Sequence, residues 1–306
     1  MMIASGAPTR VARHRKDIYY ASRRLFGPMR RRRLLVATSV NIALTAISAF
    51  FLLPFLWIAV SAFKPTQDIV TTNPLSLHGF SLQNFRSLFT SVPVAVYFRN
   101  SLIYSLGSTI GAVISTALAG YAFGRCPARL KGVWLGALLV TLAVPFVGTI
   151  LAQYIMFVHL GLVNTFAPLI APAWFAAGST SLFVILMRQF FASLPRELED
   201  AGRVDGCRPW QLFRHVFLPL VRPAVVTVAL FQFVFSWNDF FAPLVYLNSA
   251  SLYTIPLGVS TFSGQYGLDI GPLVAMSLIS IAPLLLLYVT FQRYFVNTLL
   301  RSGIQG

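Results

Sequence analysis

Acidic residues are scarce in this chain. Asp and Glu number 8 among 306 residues, against 24 Lys and Arg, and charged residues make up 10% of the whole. A water-soluble domain of that length carries roughly 25% charge, so the shortage excludes one. Cysteine is nearly absent: Cys126 and Cys207 are too few and too far apart for a metal site. The four histidines, His14, His78, His159 and His215, are scattered without ligand spacing. No Gly-rich phosphate loop is present, so the chain does not bind ATP through a P-loop. No nucleophile-and-base arrangement can be read either, which leaves an enzyme without residues to work with.

What is abundant is hydrocarbon. Apolar residues are 57% of the chain and the mean hydropathy is +0.72. Stretches free of Asp, Glu, Lys and Arg cover residues 34–63, 100–124, 132–187, 223–238, 240–268 and 270–292. A helix needs about 20 residues to cross a bilayer core. The stretch 132–187 is long enough for two spans, split near Gly161–Thr165, and the fifth span is interrupted by Asp239 alone. The expected architecture is all-α and polytopic, with six spans near 35–63, 97–123, 132–157, 165–190, 222–247 and 270–294. Helices are required because lipid cannot satisfy an open sheet edge, and the alternating pattern of a barrel is missing.

Charge placement predicts orientation. Ten basic residues precede residue 34, and further ones fill the links 125–131 and 188–222, whereas the opposite loops hold Lys64, Arg86 and Arg99. That asymmetry predicts both termini in the cytoplasm, where Cys126 and Cys207 stay reduced. The +16 net charge is then an orientation signal rather than a sign of nucleic-acid binding. Ser22-Arg23-Arg24-Leu25-Phe26 looks like a twin-arginine export signal. The apolar run after it is too long for one, so the tail 1–33 reads as an uncleaved anchor for lipid headgroups.

One polar island stands among the spans. Residues 194–223, LPRELEDAGRVDGCRPWQLFRHVFLPLVRP, hold Glu197, Glu199, Asp200 and Asp205 together with five arginines. Pro195 suits a helix first turn, and the acids behind it sit at the positive end of that helix. Leu198, Ala201 and Gly202 share a face, and Asp205-Gly206 is a break signal. A second helix places Trp210, Phe213 and Phe217 on one stripe, suited to a groove on a partner or to the bilayer surface. From the residues alone, an ordinary amphipathic intracellular loop is an equal reading.

A smaller feature lies in the fifth span. Asp239 is the one acid within a span, beside Trp237, which offers a stacking face, and Asn238, which offers a donor and an acceptor for hydroxyls. The trio could line a substrate path, or it could pack an interface or cap a helix break near Pro243.

The island's order of residues resembles the EAA loop of ABC-importer permeases, and Glu197 to Cys207 resembles the sugar-importer branch of that family. Further resemblances run in order along the chain. They are Pro54–Lys64, Asn100-Ser101-Leu102, Ala119–Phe123, Ser236–Phe240 with Pro243-Leu244, and Arg293–Val296, all similar to maltose-type permeases. The resemblance implies a domain at 34–296, with a loop at 195–222 whose Glu197, Glu199, Asp200, Ala201, Gly202, Asp205, Gly206, Trp210 and Phe213 couple to an ATPase. It implies two ATPase subunits that bind ATP and Mg, a second permease, an extracytoplasmic solute-binding protein and a sugar-like substrate. The chain itself then needs no cofactor. The absence of a large soluble insertion suits the smaller of two paired permeases. Two departures stand out: Asp200-Ala201-Gly202 replaces the EAA triplet, and the tail 297–306 lacks the family's usual lysine and glycine. An ABC permease for another solute is the first alternative. An ion-coupled transporter is the second, but it would need more buried polar groups and paired broken helices in two repeats.

Overall fold

The computed structural model describes residues 10–71, 79–127, 129–178, 180–264 and 267–303, and side chains from residue 36 to residue 292 apart from 146–147 and those around the gaps. The side chains of the basic tail, of Arg293–Val296 and of the tail 297–306 therefore lie outside the described residues. The chain falls into two compact units, residues 1–57 and 58–306. The first is helical from Arg10 onward, as the start of α1 (Arg10–Ser61), and each described side chain in it is exposed. Its stretch from Val36 belongs to an apolar helix with mean hydropathy 2.2, which suits lipid.

The second unit contains α2 (Gln83–Ser91), α3 (Val94–Arg125), α4 (Lys131–Ala143), α5 (Phe146–His159), α6 (Ala167–Trp174), α7 (Thr180–Ala192) and α8 (Glu197–Val204). There follow α9 (Pro209–Leu220), α10 (Arg222–Asn238), α11 (Phe241–Tyr246), α12 (Ile255–Ser260) and α13 (Ile270–Gly303). A two-residue hairpin, β1 (Ser263–Gly264) with β2 (Gly267–Leu268), precedes α13. It is the one departure from all-α among the described residues, and it lies between helices rather than within one.

Among the described residues three helices are long and apolar enough to cross a bilayer, or up to five if each bent pair forms one span. Three expected spans are not straight rods. The third is divided at Val144-Pro145 between α4 and α5. The fourth is divided between α6 and α7, where Ala176 and Gly178 take φ of 53° and 65° after Pro172 has removed a backbone donor. The fifth stops at Asn238, with α11 restarting at Phe241.

Helix α3 is the element the others pack on. Apolar side chains gain little by meeting each other inside lipid, so association relies on close approach of backbones through small residues. Gly107 and Gly111 face α6, and a Cβ on Gly111 would lie 2.3 Å from the Trp174 ring. Gly120 and Gly124 face α7, and a Cβ on Gly120 would lie 2.5 Å from Met187 Cβ and 3.0 Å from the Arg188 backbone nitrogen. Each pair is a small-xxx-small unit.

Three asparagines pin the loops to this frame. Asn84 Nδ2 donates to the Lys64 and Ala62 carbonyls at 2.8 and 3.1 Å. Asn100 Nδ2 donates to Ser251 and Tyr253 carbonyls at 2.9 and 3.0 Å. Asn164, at φ 62°, accepts from the Asn248 and Ser249 amides at 2.9 and 3.0 Å. Asn tolerates that left-handed conformation better than most residues.

Gly120→Val should lower the melting temperature of the detergent-purified chain by several degrees, since overpacking against backbone destabilises by about 1–3 kcal/mol. Gly132→Ala, whose Cβ would meet nothing within 4 Å, should leave it unchanged. Equal melting of both variants would remove α3's backbone contact as a source of stability.

Candidate functional site

The polar island folds into two short helices joined by a tight turn. In α8, Glu197, Glu199 and Asp200 occupy the first turn, where the unpaired amides favour negative charge. Arg203 Nη2 meets Glu199 Oε1 at 2.6 Å, a surface pair worth only a few tenths of a kcal/mol. The helix ends in a Schellman motif. Gly206 N donates to Arg203 O at 3.0 Å and Cys207 N to Gly202 O at 2.9 Å, with Gly206 at φ 77°. The turn therefore needs glycine at 206 for its backbone and at 202 for room: a Cβ there would lie 2.3 Å from Leu212 Cδ2.

The next helix starts with a second device. Pro209 occupies the first position of α9 and Gln211 Oε1 accepts from Arg208 N at 2.8 Å. Residues Leu212–Phe217 then run as a π-helix. Phe213 and Phe217 turn inward onto Tyr121 of α3, with ring centroids 5.1 and 5.6 Å away, and Phe191 of α7 lies 5.5 Å from the same tyrosine. Arg125 closes this joint. Its Nε donates to Phe191 O at 2.8 Å, its Nη2 donates to Leu194 O, and its guanidinium lies 4.9 Å above the Phe217 ring. A cation at the end of α7 satisfies carbonyls that have no helical partner.

The structure divides the expected coupling set into buried and exposed members. Phe213 and Gly202 are buried within the chain, so they support the loop rather than face a partner. The stripe of Phe213 and Phe217 fills the protein's own core, not a groove elsewhere. Glu197, Asp200, Ala201, Asp205, Gly206 and Trp210 are exposed, and Glu199 is half-buried beside Arg203. Val204, 88% exposed at the turn, is an apolar knob that sequence reasoning missed. Arg125 was missed as well, because at a span's end it reads as one more orienting charge.

The second site lies where α10 breaks. Asp239 Oδ2 accepts from the Tyr104 hydroxyl at 2.6 Å, and Oδ1 accepts at 3.2 Å from Ala242 N in the first turn of α11, whose N-cap position is Phe240. Gln232 Nε2 donates to Ser236 Oγ at 3.0 Å, while Gln232 Oε1 has no partner although it is buried. Tyr104, Gln232, Val234, Phe235, Ser236, Asn238 and Asp239 line a cavity of about 290 Å³. The structure separates the expected trio. Asn238 and Asp239 line the cavity, but Trp237 points away from it, fully buried between Phe98 and Phe233, with Nε1 donating to Ser280 O at 3.0 Å. Trp237 is instead buried against α13. Gln232, Ser236 and Asp239 stand at i, i+4 and i+7, a spacing that would have placed them on one face. Tyr104 carried no such signal.

Cavity and loop present hydrogen-bonding and docking chemistry without a nucleophile and base, and no group of His, Cys, Asp and Glu among the described residues could hold a metal ion. Comparison with known proteins agrees with a transport role. The chain is 31% identical over 273 residues to the arabinooligosaccharides transport system permease protein AraQ of Halalkalibacterium halodurans, covering 88% of this chain and 95% of that protein. It is 32% identical to the probable ABC transporter permease protein YurM of Bacillus subtilis, covering 90% and 91%. It is 29% identical to the lactose transport system permease protein LacG of Rhizobium radiobacter, covering 86% and 95%. In fold it is similar to a chain of a bacterial ABC transporter that imports the acidic polysaccharide alginate, with TM-score 0.72 at 19% identity over 95% of this chain and 100% of that one. Residues 116–301 match the family described as binding-protein-dependent transport system inner membrane component, and the chain belongs to that family.

Proposed function

We propose that this chain is the permease subunit of an ATP-driven importer of sugars or closely related solutes. The observation that carries the coupling role is the turn at Val204–Cys207. An acidic helix end, an exposed apolar knob and a left-handed glycine are held out from the protein on a rigid aromatic base. A projecting element with a rigid base transmits a push instead of absorbing it, which is what an ATPase-driven lever requires.

In this reading two ATPase subunits receive the turn and bind ATP and Mg. A second permease completes the path, and an extracytoplasmic binding protein delivers the solute. Both termini and the loop 195–222 face the cytoplasm. Closing of the ATPase dimer moves the turn, and α8, α9 and the end of α3 follow as one body because Arg125, Tyr121 and the two phenylalanines tie them together. The spans then alternate between inward and outward access.

The sugar assignment is supported by relatives named for arabinooligosaccharides, lactose and diacetylchitobiose. The cavity supports it too. Gln232, Ser236, Asn238 and Asp239 supply donors and acceptors suited to hydroxyl groups, and no cation lines it.

Gly206→Trp should abolish ATP-driven uptake while the chain still inserts in the membrane. A Cβ at 206 meets nothing within 4 Å, so the bulk would clash with a partner and not with the protein itself, beyond a backbone strain of about 1–2 kcal/mol. Wild-type uptake by that variant would end the coupling assignment. Asp239→Asn, which keeps an acceptor for Tyr104 but removes the charge, should slow transport about tenfold, equivalent to ~1.4 kcal/mol, with permease pairing intact. Loss of pairing at unchanged transport per assembled complex would make Asp239 a structural cap instead.

A further inference from the structure

An apolar hollow beside α9 adjoins the base of the projecting turn, sharing Trp210 and Phe213 with it, and is distinct from the cavity at Asp239. It has a volume of about 640 Å³ and lies between α3 and the start of α10, with Ile114, Leu118 and Leu218 among its apolar walls. Arg214 and Arg222 stand on its lining, together with Trp210, which is 57% exposed. Both arginines are exposed, and among the described residues neither makes a hydrogen bond or ion pair. No acidic side chain lines the hollow. Two cations at the rim of an oily groove are complementary to an anion with a long apolar body.

Depth along the helices matches that demand. Ile114 and Leu118 lie seven to eleven residues inside the Arg125 end of α3, about 10–17 Å into the span at 1.5 Å per residue. Arg222 begins α10 and Arg214 belongs to α9, which joins α10 at a bend of 77°. The cations thus sit where a span leaves the hydrocarbon and the apolar walls sit within it. Trp210 on the same lining suits the interfacial preference of tryptophan. We infer that this groove binds one anionic diacyl phospholipid, its phosphate held by Arg214 and Arg222 and an acyl chain lying along Ile114, Leu118 and Leu218. Basic pockets between spans hold anionic headgroups by the same chemistry. A protein occupant would have to bring carboxylates to the edge of the bilayer, where burying them carries a high penalty.

The groove is walled by α9, the helix that supports the exposed turn, so an occupied groove braces that helix from its membrane side. The inference does not depend on which solute is carried.

The test is native mass spectrometry of the full chain, purified in mild detergent and titrated with dioleoylphosphatidylglycerol or dioleoylphosphatidylcholine. Wild-type protein should retain the anionic lipid in preference to the zwitterionic one. Arg214→Gln with Arg222→Gln should weaken phosphatidylglycerol binding about thirtyfold, equivalent to ~2 kcal/mol at 1.4 kcal/mol per decade. Arg214→Lys with Arg222→Lys should restore most of it. Arg129→Gln with Lys131→Gln, which removes two charges outside the groove, should leave it within a factor of about three, since each such charge adds only surface attraction. Equal retention of the two lipids, or equal weakening by both Gln pairs, would overturn the inference. So would a crosslink from a Leu118→Cys variant to a co-purified permease chain, because the groove would then be a subunit interface.

Discussion

Close backbone approach along α3 is the constraint on which the rest depends. Lipid surrounds the spans with a medium as apolar as their own side chains, so burial alone cannot select one packing of helices. Two glycine pairs select it. Gly107 and Gly111 admit Ile170 and Trp174, while Gly120 and Gly124 admit Met187 and Phe191. Once α6 and α7 lie at those distances, Phe191 and its carbonyl are placed for Tyr121 and Arg125, and the aromatic base of the projecting turn follows. At the other end of α3, Tyr97, Phe233, Trp237 and Met276 form a second core, and Asn100 ties the loop before α12 to it.

The two candidate sites are built on opposite principles. The turn at 202–207 is made of local signals: an acidic first turn, glycines at fixed offsets from a helix end, and a proline opening the next helix. Each part lies within a dozen residues of the others. The cavity at the α10 break joins residues far apart in the chain, Tyr104 to Asp239, through a hydrogen bond that also fixes where α10 ends. A carboxylate there does two jobs at once, since it accepts from a phenol and from the Ala242 amide in the first turn of α11.

That difference explains what could be read from residues alone. Asp205-Gly206 announced its break because only glycine takes a left-handed turn without strain, and the acids before it named the helix's positive end. The existence of apolar helices followed from charge-free runs. Of their interruptions only the one at Asp239 was signalled: Pro172 and the Ala-Ala-Gly at 176–178 look unremarkable inside an apolar stretch, yet they divide α6 from α7. Facing direction was also hidden. In a soluble helix, polarity shows which side is buried, but in these spans both sides are apolar, so the inward turn of Trp237 comes from packing alone. The glycine pairs were visible as spacing, and their partners were not.

The joint between α3, α7 and α9 has a further consequence. With backbones in contact at Gly120 and Gly124, and with Arg125 bonded to the end of α7 while its guanidinium covers Phe217 of α9, these elements have no slack for sliding past one another. Compliance must then reside at the margins of that block. The segment Ala176–Gly178 is one such margin, half-buried to exposed and left-handed at Ala176 and Gly178, whereas Val221, at the 77° bend between α9 and α10, is buried in the same core as Phe217. Stiffness elsewhere thus leaves Ala176–Gly178, and not the bend at Val221, as the place where the fold has room to yield.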